Sequence, residues 1–449
     1  MRGPFRSSVR VVAIGLAGAT LCGCDGHENT GATTAAMSTT TPAAYGAADI
    51  ARWSADLDTE DSVMRRIARA SPLPDVAPDP TNLVADDARA AELGRRLFFD
   101  RNLSGNGSVS CASCHDPGRW FTDGLARSKG IGDTLRNAPT LVDATHQRWF
   151  NWDGRSDSMW SHAIRPIEHP DEMGGDRTAL THYVLTDPEL RSRYEALFGD
   201  VAFDLAALPA RAQPTGDSEA GIAWEGMSTT DRLEVNRVVA NVGKALAAYQ
   251  RTLVGGRSKF DRWVDGLVST GRPPGDVLNE RELAGMKLFF GQAECWECHA
   301  GPLFSDGEFH NIGLPVPGGL PRDPGRYDGA TLVRNDPFNA AGDYSDQSSG
   351  ARAIISKGVR TDPGTWGAFR TPSLRHVAET GPYMHDGSME SLRDVVKFYS
   401  ELEGAVQLDH HQESVLTPLG LTDREIDDLV AFLETLTGEM APQRSFDID

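Results

Sequence analysis

Cys111-Ala112-Ser113-Cys114-His115 and Cys295-Trp296-Glu297-Cys298-His299 are the two stretches that decide how this chain folds. Each is a Cys-x-x-Cys-His motif. Two thiols at this spacing suit thioether bonds to the vinyl groups of a haem, and the adjacent His suits iron. A pair of disulfides would not require the following His. A four-ligand zinc site would have to draw on both distant motifs at once. The reading is therefore two covalently bound c-type haems. Cysteine usage agrees: of six Cys, four lie in these motifs, and the other two, Cys22 and Cys24, end the N-terminal apolar run.

Each motif is preceded by a related hexapeptide, Gly94-Arg95-Arg96-Leu97-Phe98-Phe99 and Gly285-Met286-Lys287-Leu288-Phe289-Phe290. Both read as helices with an aromatic end packed near haem, which predicts two related cytochrome c-like haem domains. Val235, Val238, Val239, Val242, Leu246 and Tyr249 recur every three or four positions, as on one face of a helix. Leu421 to Leu436 predicts another, opened by a Thr422/Glu425 capping box, with Ile426, Leu429, Val430 and Leu433 on its inner face. Pro- and Gly-rich stretches such as 313–325 read as loops, and strands are few. The predicted fold class is mainly α, with long loops.

Arg2, Arg6 and Arg10 precede a short apolar run, Val11 to Leu21, too short to span a bilayer. Leu21-Cys22-Gly23-Cys24 resembles a lipobox, with Cys24 as the acylated residue; ordinary cleavage to a soluble exported protein is the alternative. The Thr-, Ala- and Gly-rich stretch that follows cannot bury a core and reads as a disordered tether. The protein is expected in the periplasm, with membrane contact only through a lipid anchor. A net charge of -20, from 44 basic and 64 acidic residues, argues against nucleic acid and anionic membrane surfaces.

Across about Asp86 to Gly438 the chain resembles the bacterial di-haem cytochrome c peroxidases, including their MauG-type branch. The resemblance rests on Arg136-Asn137-Ala138-Pro139-Thr140, Trp152-Asp153-Gly154-Arg155, Pro166 with Glu172-Met173, Phe369-Arg370-Thr371-Pro372-Ser373-Leu374-Arg375, and Pro382-Tyr383-Met384-His385-Asp386-Gly387. It implies that His115 is the ligand of an N-terminal haem where hydrogen peroxide reacts. Glu172 aligns with the glutamate that moves the peroxide proton. Trp152 aligns with the tryptophan between the haems. Asn137, Thr380 and Pro382 align with calcium ligands, an oxygen set suited to a hard cation. His162 stands where the family usually has Gln, as a distal hydrogen-bonding group or as an iron ligand that closes the site.

Two departures separate branches of the family. Gated members carry a distal His on a loop after the first motif, but here no His lies between His115 and His146. That predicts an N-terminal iron open without prior reduction. Ordinary members have a Met ligand fourteen residues after the His of the Pro-Tyr-x-His-Asp-Gly motif; here that residue is Tyr399, as in MauG-type enzymes. Tyr oxygen favours the oxidised metal, whereas Met raises the potential. His299 and Tyr399 would then hold a haem suited to storing an oxidising equivalent.

The expected function is a peroxidase that oxidises a partner protein in the MauG manner. The Trp149-to-Trp160 segment resembles a subgroup that is paired with exported copper-binding proteins in methanobactin-type gene clusters. A peroxide-detoxifying enzyme fed by a small cytochrome or cupredoxin is the alternative, and a non-enzymatic di-haem electron-transfer lipoprotein is a third. In MauG the tryptophan used for charge exit lies two residues before the second motif. Here that residue is Ala293, with Trp296 as a substitute. The implied organisation is 1–23 signal peptide, 24–49 tether, 50–83 N-terminal extension, 84–265 N-terminal peroxidatic domain, 266–440 C-terminal electron-transfer domain and 441–449 tail. His410-His411 read as a solvated pair, and His310 and His376 show no partner at readable spacing.

Overall fold

The computed structural model describes residues 45–201, 203–214, 218–316, 318, 322–406 and 416–440. The signal segment with Cys24, nearly all of the tether, the tail and His410-His411 lie outside these residues. The described chain is mainly helical. Its helices run α1 (Ala47–Leu57), α2 (Asp61–Arg69), α3 (Ala88–Phe99), α4 (Met159–Glu168), α5 (Arg177–Thr186), α6 (Pro188–Phe198) and α7 (Glu219–Gly226). They continue as α8 (Thr229–Gln250), α9 (Lys259–Thr270), α10 (Glu280–Phe290), α11 (Arg326–Asn335), α12 (Ala351–Gly358), α13 (Leu392–Glu401) and α14 (Asp423–Glu434). One two-residue antiparallel pair joins β1 (Phe309–His310) to β2 (Phe369–Arg370), with Phe309 opposite Arg370.

The repeated hexapeptides explain the two cores. In α3, a Cβ on Gly94 would lie 1.9 Å from the carbonyl oxygen of Ala245 in α8. In α10, a Cβ on Gly285 would lie 1.8 Å from the carbonyl oxygen of Asp428 in α14. In both places backbone crosses backbone where only hydrogen fits. Phe98, fully buried, packs edge-on against Phe121 at 6.1 Å. Phe289 packs against Phe304 at 5.8 Å. Burying such a ring contributes about 1.5–3 kcal/mol.

The first core gathers Leu97, Phe98, Phe121, Trp160 and the Val238, Val239, Val242, Leu246 face of α8. The second gathers Phe289, Phe290, Phe304 and Phe432 with Phe260 and Trp263 of α9. It also takes Ile50, Trp53, Met64 and Ile67 from α1 and α2, so residues of the N-terminal extension pack into the core around the second motif. Helix α1 begins at Ala47, so the last three residues of the expected tether are helical. The capping box of α14 forms as expected: Thr422 accepts from the amide of Glu425, and the Glu425 carboxylate accepts from the amide of Thr422.

Candidate haem sites

The two motifs build matching sites. Cys111, Cys114, Cys295 and Cys298 are all free thiols, and burial pushes Cys111, Cys114 and Cys295 up to about 12. His115 holds the carbonyl of Phe121 with Nδ1 at 2.9 Å, and His299 holds that of Phe304 at 2.8 Å. An Nδ1–H committed to a carbonyl leaves Nε2 as the free lone pair, fixed in orientation. Both phenylalanines adopt left-handed backbone, φ 56 and 51, which costs a non-glycine residue about 1–3 kcal/mol. The packing of each ring against the Phe of α3 or α10 offsets that cost. Two free thiols beside an oriented, unprotonated Nε2 fit a covalently bound haem at each motif.

Around the first motif, His162 of α4 is half-buried with its ring stacked near Phe150, centroids 5.9 Å apart. Burial, and then the charges of His115, Arg165, Arg155 and Arg370, push its pKa down to about 3, so the ring is neutral. The side-chain amide of Asn151 meets His162 Nδ1 at 3.1 Å. Glu172 follows α4 on a turn, close enough for its charge to raise both Cys111 and Cys114. His169 Nδ1 lies 3.8 Å from its carboxylate. The loop after the first motif is tied to the same turn: Ile131 donates to the carbonyl of Glu172 at 2.8 Å, and Gly132 to that of Asp171 at 2.9 Å.

The second site is a cavity of about 330 Å3. Cys295, Cys298, His299 and Tyr399 line it together with Trp152, Asn137, Thr380 and Pro382. Tyr399, on α13, has no hydrogen-bond partner for its hydroxyl among the described residues, and burial, then the nearby Cys298 and Cys295, push its phenol well up. Met384 is the one methionine among the lining residues, and it sits on the 382–387 turn rather than on α13. Trp152 donates its indole N–H to the carbonyl of Asn137 at 2.9 Å. Three consecutive residues thus join the sites: Phe150 and Asn151 contact His162, and Trp152 lines the cavity of the second motif.

Several groups were not legible from spacing. Asn151 carries no motif signal. His310 pairs with Asp306 at 2.8 Å, and His376 with Asp143 at 2.9 Å. Arg136 bridges Asp153 and Asp323, each at 2.8 Å, which locks the Trp152-Asp153-Gly154-Arg155 turn to the second half of the chain. Arg66 of α2 lies 3.5 Å above the Trp296 ring.

A family model described as di-haem cytochrome c peroxidase matches residues 88–269. Cytochrome-c peroxidase IdrP2 of Denitromonas iodatirespirans is 35% identical over 358 residues, covering 79% of this chain and 83% of that protein. Methylamine utilization protein MauG of Methylorubrum extorquens is 32% identical, covering 78% of each. Among solved structures, a MauG-like protein associated with microbial copper homeostasis aligns with a TM-score of 0.57 at 28% identity, over 82% of this chain and 95% of that one. The diheme peroxidase BthA from Burkholderia thailandensis aligns at 0.59 and 25% identity, over 82% and 91%.

Proposed function

Because the chain belongs to the di-haem cytochrome c peroxidase family, a family of peroxide-dependent oxidoreductases, we propose that it reduces peroxide at the His115 site and oxidises a partner protein through a His299/Tyr399 site. The observation that carries this reading is the place of Tyr399. Tyr399, its hydroxyl unpartnered among the described residues, lines the same cavity as Cys295, Cys298 and His299. A phenol whose pKa burial has raised stays protonated unless a cation takes the proton's place, and ferric iron is such a cation. When bound, the two haems supply the two-electron chemistry with peroxide.

The chain's own residues do the rest. His162, neutral and held through Nδ1, presents an Nε2–H donor to a peroxide oxygen. Glu172 carries the proton that the leaving oxygen requires. Trp152, hydrogen-bonded to Asn137 and lining the second cavity, relays charge between the sites. Calcium belongs to the same proposal. Asn137 commits Nδ2 to the carbonyl of Leu125 at 2.8 Å, which leaves Oδ1 as an acceptor on a residue that lines the same cavity as Thr380 and Pro382. Export by the Arg2-to-Leu21 segment and anchoring through Cys24 complete it. Among the described residues no helix is long and apolar enough to cross a membrane.

A second reading, peroxide removal with electrons from a small redox protein, draws support from the relatives named cytochrome-c peroxidase. One experiment separates the two. One equivalent of peroxide is added to the diferric protein without prior reduction, followed by optical and EPR spectroscopy. Loss of both ferric signals into one long-lived state is expected. A protein that responds only after one haem has been reduced would be the gated, detoxifying enzyme instead.

A further inference from the structure

Trp120 lies five residues after His115, half-buried, in left-handed backbone (φ 54). Its ring stacks on His376, with centroids 4.8 Å and planes 25° apart. The amide of Gly438 donates to His376 Nδ1 at 3.2 Å. The ring proton therefore sits on Nε2, which donates to Asp143 at 2.9 Å. These two side chains are 2% and 1% exposed. Burial alone would raise Asp143, but the bond from His376 and the amide of Gly255 hold its carboxyl below the usual range. A buried carboxylate thus lies one imidazole ring away from the indole face. The next residue, Phe121, offers the carbonyl that holds His115 Nδ1 at 2.9 Å. One peptide unit and one hydrogen bond connect Trp120 to the first site.

Four other tryptophans have the opposite surroundings. Arg66 covers Trp296 at 3.5 Å, Arg326 covers Trp149 at 4.5 Å, Arg177 approaches Trp224 at 5.5 Å and Lys244 approaches Trp160 at 5.6 Å. A cation over an indole is attracted to the neutral ring and opposes positive charge within it. Trp296, the substitute exit suggested by its place in the second motif, is the most closely covered of these.

We propose that Trp120, and not Trp296, is the redox-active surface tryptophan, giving electrons from outside a direct entry to the first site in addition to the route through the His299/Tyr399 site. Peroxide takes up two electrons and two protons to give two waters. One of those electrons leaves the Trp120 π system and the other would come from the bound haems, each being replaced by a one-electron reductant at the surface, and no bond to the indole forms or breaks. The positive charge stays on the ring opposite the Asp143 carboxylate until a one-electron reductant at the surface returns it to neutral. Asp143 and His376 act as positioning residues.

The inference rests on the peroxide reading above, and one experiment tests both. Full-length di-haem protein carrying ring-deuterated tryptophan receives one equivalent of peroxide and is freeze-quenched for EPR, with the optical spectrum recorded in parallel. A radical signal narrowed by the deuterium label is expected in the wild type and in Trp296→Phe, and is lost in Trp120→Phe. Excess peroxide without reductant, followed by peptide mass mapping of the wild type, should place oxygen adducts on Trp120 and none on Trp296; this arm needs no substitution. A normal optical response with the radical intact in Trp120→Phe, or adducts that spare Trp120, would overturn the inference alone. No optical response in any protein would overturn the peroxide reading and this inference with it.

Discussion

The side-chain amide of Asn151 donates to Nδ1 of His162 across 3.1 Å. An amide NH2 has no lone pair to offer, so Nδ1 must accept and the neutral ring carries its proton on Nε2. In that tautomer Nε2 is a hydrogen-bond donor and has no lone pair for iron. Asn151→Asp reverses the arrangement, because a carboxylate accepts and moves the ring proton to Nδ1. The left-handed backbone at Asn151 (φ 65) tolerates Asp. The ferric EPR spectrum of this variant should gain a low-spin component, with slower reaction with peroxide. A spectrum identical to wild type would mean that His162 does not face the iron.

Tyr399 and Met384 line the same cavity, and their variants should behave differently. Tyr399→Met replaces a hard oxygen by a thioether. The potential of the second haem should rise, on the order of 0.1 V or more within the range axial ligands command. Met384→Leu should leave it where it is. Redox titration of both proteins decides the matter: a shift in Met384→Leu with none in Tyr399→Met would make Met384 the ligand.

What could be read in the sequence divides along physical lines. The thiol pairs, the adjacent His and the α14 capping box are local, so their geometry is fixed within a few residues, whereas Tyr399, far along the chain from His299, came only from the family resemblance. The hexapeptide repeat was visible as well, but its reason was not. Gly94 and Gly285 are required by helix crossings onto residues far along the chain, Ala245 and Asp428. The partners of His376, Trp296 and Arg375 come from equally distant segments. Asp143 and His376 carry no shared spacing, and Arg66 reaches Trp296 only because α1 and α2 pack into the second core. No periodicity within a single helix encodes such meetings.

Gly285→Val places a Cβ 1.8 Å from the backbone oxygen of Asp428, and backbone cannot swing aside as a side chain can. The helices must separate, at a cost of about 1–3 kcal/mol or more. Gly275→Ala meets nothing within 4 Å and serves as the control. Denaturant unfolding of the holoprotein should show a lower midpoint for the first and little change for the second. Equal midpoints would mean that α10 and α14 do not cross at Gly285.

Acid should loosen the second core through Asp261. This buried carboxylate pairs with Arg375 at 2.6 Å and accepts from Ser71 at 2.6 Å. Arg375 also holds the carbonyls of Ala70 and Pro302, so the pair fastens the end of α2, the start of α9 and the loop after the second motif. Burial alone would raise the Asp261 pKa, but Arg375 and the hydrogen bonds bring it down to about 2. A folded-state value below the unfolded one stabilises above the unfolded pKa. The contribution, about 2 kcal/mol, is present in full above the ordinary Asp value and is lost as pH falls from about 4 to about 2. Asp261→Asn removes the charge at every pH and leaves Arg375 buried without its partner, at a cost of about 3–5 kcal/mol. Its unfolding free energy should be lower at pH 7 and flatter across the acid range than that of the wild type. A variant that keeps the full acid dependence would assign that dependence to other carboxylates, Asp153 with Arg136 and Arg155 first among them.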